Sequence, residues 1–283
     1  PGPDNGTQEP AGSISLVDDF GREVELEGPA QKVISLVPAS TEIMFALGLG
    51  ERVVGASEYC NYPEAALAIP RVGGFDGPNL EAIVSLEPDL VLAASLHQEA
   101  VEALEGLGIP VLALDPMTIE EIYANIELVA LALGEEKLGE DLVGNMKSRL
   151  EAVAQTLGNL QEDERPSVFY ESWYPGIWTA GEDTFINEII DWAGGKNLAW
   201  GVSRWAEMQE EEVLARNPDV IIHGYFEPLP VEPFAQRNGW NVVNAVCQEQ
   251  IFFVDQDALT RTGPRVVDAV EELARILHPE RFK

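Results

Sequence analysis

From Val33 onward, short runs of β-branched and other apolar residues alternate with amphipathic segments. Residues 33–37 (VISLV) read as a strand, and Ser40-Thr41-Glu42 opens a helix that runs to Leu47 and stops at Gly48. A strand returns over 52–56, a helix over 80–86, and a continuous apolar strand (DLVLA) over 89–93. A helix over 99–107 and a strand over 110–114 (PVLAL) follow. Such alternation predicts an α/β fold, a mostly parallel sheet flanked by helices.

The middle of the chain changes character. Residues 119–133 and 136–160 form two long helical patterns with hardly a strand former between them. Leu138, Leu142, Met146, Leu150, Val153 and Leu157 recur every three or four positions, which predicts one buried face of a single long strut. The strand–helix alternation then restarts at 167–170, continues through 219–223 (DVIIH) and 251–254 (IFFV), and ends in a helix over 263–277.

An ungapped internal repeat ties the two halves together. Residues 79–92 (NLEAIVSLEPDLVL) align with 209–222 (QEEEVLARNPDVII), matching a Glu, a Pro and an Asp in each copy. Each copy reads as a short helix, a Pro-Asp turn and a buried strand. The expected organisation is a flexible N-terminal tether (1–13), an α/β lobe (14–135), a connecting long helix (136–160) and a second α/β lobe (161–283). The ligand cleft is expected between the lobes.

Composition narrows the partners. Seventeen Lys and Arg against 49 Asp and Glu leave a net charge of -32, which repels nucleic acid and anionic lipid. Cys60 and Cys247 stand far apart without C-x-x-C spacing, so one bridge or two free thiols are both open, and no zinc ribbon is indicated. Pro1 to Ser13 is rich in Gly, Pro and polar residues, a composition that suits the tether of an exported, lipid-anchored protein or a cloning remnant.

No G-x-G-x-x-G, G-x-x-x-x-G-K-[ST] or G-x-S-x-G motif is present, so no enzyme is expected. His97 and His223 fall beyond or at the ends of predicted strands, where parallel sheets place ligands. They read as ligand-contacting residues, axial ligands to cobalt or iron, or ordinary loop histidines. A metal-dependent enzyme would have to add Glu171 or Asp257 to them. Tyr59, Tyr62 and Phe75 in the first half, and Trp173, Tyr174, Trp178, Trp200 and Trp205 in the second, lie in predicted loops. Flat apolar walls of this kind suit a large planar ligand. Asp257 and Arg261, four residues apart after a strand, could serve amide-bearing groups at a rim or pair with each other.

Several of these segments resemble a known family. Residues 33–42 (VISLVPASTE), Tyr59-Cys60-Asn61-Tyr62-Pro63, residues 73–81 (GGFDGPNLE), Arg261-Thr262-Gly263-Pro264-Arg265 and Leu277-His278-Pro279-Glu280 resemble the cobalamin-binding proteins of ABC importers. Residues 17–24 (VDDFGREV) resemble the leading hairpin of their ferric-siderophore relatives. The resemblance implies an extracytoplasmic, monomeric binding protein whose two lobes are joined by a single long helix. It would deliver cobalamin or a related corrinoid to a permease dimer with its ATPase subunits, using no catalytic cofactor. It carries Tyr59, Phe75, Trp205, Asp257 and Arg261 onto ligand-contacting positions, with Trp173 near another. It also carries Glu81 and Glu211, the repeat-related pair, onto transporter-docking positions. Phe75 stands where relatives have Trp, and Ala94 where a bulky aromatic can lie, so haem and ferric siderophores remain alternative ligands and a sensor ectodomain an alternative role.

Overall fold

The computed structural model describes residues 12–74, 77–225 and 229–283; Phe75 and nearly all of the expected tether lie outside the described residues. The chain divides into two compact units, residues 1–116 with 123–143 and residues 117–122 with 144–283. No helix among the described residues is long and apolar enough to cross a membrane.

The first unit opens with an antiparallel hairpin, β1 (Ile14–Val17) and β2 (Glu23–Leu26), which register Ile14 against Leu26. Its sheet is built from β3 (Val33–Ser35), β4 (Val53–Ala56), then β7 (Leu90–Ala93) and β8 (Val111–Ala113), all parallel in the order β4-β3-β7-β8. Between β4 and β7 lies a two-residue ribbon, β5 (Gly73–Gly74) and β6 (Gly77–Pro78). Helices α1 (Pro38–Ala46), α2 (Leu80–Ser85), α3 (Gln98–Gly106) and α4 (Ile119–Ala132) supply the crossovers and flanks. Ile34, Ile83, Val91, Leu104 and Val111 form its core, each side chain contributing about 1.5–3 kcal/mol by leaving water. Helix α1 starts at Pro38, two residues earlier than the Ser-Thr-Glu signal predicts. The Thr41 hydroxyl donates instead to Ser35 Oγ at 2.8 Å, tying the helix to the end of β3.

After the long helix α5 (Glu136–Leu157), the second unit holds β9 (Ser167–Glu171), β10 (Ile177–Ala180), α6 (Phe185–Trp192), β11 (Lys196–Asn197), β12 (Trp205–Met208) and α7 (Glu210–Arg216). It closes with β13 (Val220–His223), α8 (Glu232–Ala235), α9 (Asn244–Cys247), β14 (Ile251–Phe253), α10 (Gln256–Thr260) and α11 (Val266–Leu277). Its sheet is parallel in the order β11-β9-β13-β14, the same crossover pattern as in the first unit. Phe169, Val213, Ile221, Phe234 and Trp240 pack at its core.

The repeat seen in the sequence is a structural device. In both copies the residue before proline, Glu87 or Asn217, takes a left-handed backbone with φ of 49°. The aspartate that follows then clips the sheet's next strand. Asp89 N–H donates to the Lys32 carbonyl at 2.8 Å, while its carboxylate accepts from Lys32 N–H at 2.9 Å. Asp219 does the same with Ser167, at 3.0 and 2.9 Å. Burial opposes ionisation of Asp219, but the hydrogen bonds from Ser167 and Asn244 prevail and hold its carboxyl below the usual range. The two lobes are thus pseudo-equivalent: α2 leads into β7 as α7 leads into β13.

The long helix α5 joins the units and spans 22 residues, about 33 Å. Its buried stripe includes Met146, Leu150, Val153 and Leu157 as expected, but it begins with Gly139 and Val143 rather than Leu138 and Leu142. Leu138 is 37% exposed. The cause is a close crossing: a Cβ on Gly139 would sit 2.7 Å from the Ala130 Cβ of α4. The helices meet where side chains are smallest, and the face shifts by one residue.

Candidate functional site

In the first unit the loops that follow β3, β4 and β7 surround a cavity of about 440 Å³. Leu36, Val37 and Pro38 line it from the β3 loop, Ser57 and Tyr59 from the β4 loop, and His97 from the β7 loop. These are the carboxyl ends of parallel strands, where open α/β sheets bind ligands. Tyr59 is 45% exposed. Its loop is pinned by Arg71, whose guanidinium donates to the carbonyls of Ser57, Cys60 and Ala66 at 2.9–3.1 Å. His97 ends a short 3-10 turn, and its Nδ1 accepts a hydrogen bond from Ala94 N–H at 3.2 Å. Burial lowers its pKa, outweighing the opposing effect of the Ala94 backbone, and so favours the neutral ring.

The second unit presents Trp178 and Trp205 on a separate two-stranded ribbon that the sequence reads as loops. Trp178 lies in β10 and Trp205 opens β12, which pair antiparallel with Ala180 opposite Trp205. Neither Ile177–Ala180 (IWTA) nor Trp205–Met208 (WAEM) forms the continuous apolar run that marks the central strands. An added Cβ on Gly181 would overlap the Val202 carbonyl oxygen, so the return of this ribbon requires glycine there. Trp205 meets the Tyr170 ring edge-on at 5.9 Å while staying 38% exposed. Trp173 and Tyr174 follow β9 directly, both exposed, and Trp173 bridges to Trp178.

Beneath this surface is a buried ion pair that periodicity does not reveal. Arg237 Nη1 and Nη2 donate to the two Glu171 carboxylate oxygens at 2.6 and 2.8 Å. The Tyr225 hydroxyl also donates to Glu171. The guanidinium lies over the Tyr174 ring at 3.7 Å, with Phe234 and Trp240 on other sides. Glu171 therefore accepts three hydrogen bonds, which removes it from the alternative in which it adds to a metal site with His97 and His223. Arg237 and Tyr225 carry no motif; the only sequence hint is a lone arginine between Phe234 and Trp240.

His223 sits opposite Glu171 in the β13–β9 register, buried among Tyr225, Phe234 and Phe253. Neither ring nitrogen has a hydrogen-bond partner among the described residues. Desolvation, then the Arg237 charge, push its pKa down to about 4. The unfolded chain binds this proton near pH 6.5, so the unfolded state carries more protons through that interval and stability falls as pH drops from about 6.5 toward about 4. A His223→Phe variant is expected to flatten that part of the stability–pH curve measured by urea unfolding; an unchanged slope would refute the assignment.

Asp257 and Arg261 lie one turn apart across α10, a helix the sequence pattern does not predict, and their ion pair is 2.7 Å long. Glu81 and Glu211 occupy the second positions of α2 and α7. Both are exposed and make no ion pair with a described residue. Cys60 and Cys247 are free thiols, the first buried and the second exposed. Among the described residues no three His, Cys, Asp or Glu side chains gather as a metal site.

Comparison with known proteins matches this arrangement. An uncharacterized ABC transporter substrate-binding lipoprotein of Bacillus subtilis is 37% identical over 276 residues, covering 95% of this chain and 87% of the relative. A vitamin B12-binding protein of Vibrio campbellii is 29% identical over 259 residues, covering 90% and 92%. The apo structure of the periplasmic heme-binding protein RhuT from Roseiflexus superposes with a TM-score of 0.78 at 28% identity, covering 89% of this chain and 99% of that one. Residues 33–258 match the periplasmic binding protein family. With two parallel α/β units joined by one long helix and apolar surfaces at their strand ends, the chain belongs to the periplasmic binding protein family and is an extracytoplasmic solute carrier.

Proposed function

We propose that the protein captures cobalamin or a related corrinoid and delivers it to the permease of an ABC importer. The observation that carries this reading is the set of exposed aromatic side chains at the ends of the two sheets: Tyr59 in the first unit, and Trp173 and Trp205 in the second. Flat apolar faces of this kind suit a macrocycle, and the likeness to a vitamin B12-binding relative over 90% of the chain supports the same ligand class. Phe75, outside the described residues, is assigned to the ligand set by resemblance of its sequence segment alone. Asp257 and Arg261, paired with each other across α10, would supply polar groups to peripheral amides of the ligand. Glu81 and Glu211, at equivalent helix starts of the two lobes, are the docking pair that would meet cationic residues of the permease and its ATPase-bearing complex.

Titration of the ligand-free protein with cyanocobalamin, followed by calorimetry and Trp fluorescence, is expected to give saturable one-to-one binding with quenching. Trp205→Ala should weaken it about 30-fold, the usual scale for a large aromatic at the centre of a contact. Absence of cyanocobalamin binding together with saturable haem binding would move the protein to the haem carriers.

A further inference from the structure

We propose that His97 donates a hydrogen bond from its Nε2–H to an acceptor oxygen of the captured ligand, and does not lend a lone pair to the ligand's metal. This rests on the reading of the first unit's cavity as part of the ligand site.

The argument starts from the ring. A neutral imidazole has one donor nitrogen and one acceptor nitrogen. Ala94 N–H points at Nδ1 from 3.2 Å, which makes Nδ1 the acceptor and places the proton on Nε2. The backbone fixes this choice, because His97 N–H bonds back to the Ala94 carbonyl at 2.9 Å and closes the turn that holds the ring in place. His97 is only 9% exposed, yet it lines the cavity, and Nε2 makes no hydrogen bond with any described residue. Its neighbours there are largely apolar: Leu36, Val37, Pro38 and Leu96. Nε2 is not among the buried unpartnered atoms, so it reaches the cavity surface, where its hydrogen is open to an acceptor on the ligand.

The chemistry of that acceptor follows. A cobalt or iron centre needs a lone pair, and the ring's available lone pair is engaged by Ala94. A carbonyl or carboxylate oxygen needs a hydrogen, which Nε2 presents. The cavity therefore selects for an oxygen-bearing arm on the rim of the ligand, such as a carboxamide, and leaves the metal's axial positions to other groups. Tyr59 on the same wall supplies the apolar face against which the ring system rests.

Two measurements test this. Long-range nitrogen–proton correlation spectra of histidine-labelled protein, with His97 assigned by its loss in His97→Gln, should show a protonated Nε2 and an unprotonated Nδ1; the opposite tautomer overturns the proposal. Aquocobalamin, whose axial water is replaceable, should bind His97→Leu about fivefold to tenfold more weakly than wild type. His97→Gln, which restores an N–H donor, should recover most of that loss. The absorption bands of the bound corrinoid should be the same in all three proteins. Wild-type affinity in His97→Leu, or an imidazole-type band shift that disappears with His97, overturns the proposal. If the wild-type protein binds no cobalamin, the corrinoid reading fails by itself, and the same variants and spectra with haem decide the role of His97.

Discussion

Replacing Arg237 by Leu is expected to destabilise the second unit by about 3–5 kcal/mol, because it leaves the Glu171 carboxylate buried without its cation. On the usual scaling this lowers the melting temperature by roughly 10 °C. The loss belongs to the broken pair and not to the pair's net worth. Desolvating both ions costs nearly as much as their attraction returns, so the double variant Glu171→Leu with Arg237→Leu should recover most of the lost stability. Tyr225 sharpens the contrast: its hydroxyl still donates to Glu171 when only Arg237 is gone, but a single neutral donor does not compensate a buried charge. The double variant also tests His223. The Arg237 charge is the second cause of its lowered pKa, after burial. Removing that charge should raise the His223 pKa part of the way toward 6.5 and leave the burial contribution in place. Urea unfolding of the three proteins, with His223 titrated by NMR, reads both effects. A single variant as stable as wild type would show that the pair is not the keystone of this region.

How much of this was visible in the chain depends on the range of the interaction. Alternation of apolar runs and amphipathic segments carries the parallel sheets, because the central strands β3, β7, β9 and β13 are buried almost throughout and helices such as α3 and α11 bury one face. The Pro-Asp repeat carries the equivalence of the lobes, since the same backbone clip needs the same residues at Asp89 and Asp219. The long connecting helix was legible from its stripe, but its first turns were misplaced. Leucine normally marks the buried face, and at Gly139 the close approach of α4 reverses that preference. The β10–β12 ribbon is not legible because Ile177–Ala180 and Trp205–Met208 form no continuous apolar run of the kind that marks the central strands, and Trp205–Met208 carries helix-favouring residues. A left-handed Arg204 and a close-packed Gly181 face each other at the ribbon's end, Gly181 N–H donating to the Arg204 carbonyl at 2.8 Å, and neither leaves a recognisable pattern. The Glu171–Arg237 pair joins residues 66 positions apart, and nothing local announces such a contact. Asp257 and Arg261 were visible as a spaced pair, but only the helical turn of α10 determines that they face each other.

The other large effect is expected at Glu81 and Glu211, the proposed docking pair. Glu81→Ala and Glu211→Ala are exposed changes in the first turns of α2 and α7, away from either core, and each should leave stability and corrinoid affinity unchanged. Their expected cost is in delivery. Truncating one partner of a charge pair that becomes buried in an interface costs about 2–5 kcal/mol, so each single variant should weaken capture by the permease at least about 30-fold. The two residues sit at repeat-related positions and would meet related halves of a two-subunit permease, so their losses should add, being far apart in sequence and on separate units. Uptake of labelled cobalamin into vesicles carrying the cognate importer is therefore expected to fall sharply in each single variant and to vanish in the double. Charge reversal of the facing permease residues should worsen binding to the wild-type protein and not to the double variant. Uptake that persists unchanged in the double variant would place docking elsewhere on the acidic surface, and uptake lost together with corrinoid binding would show that these carboxylates support the fold instead.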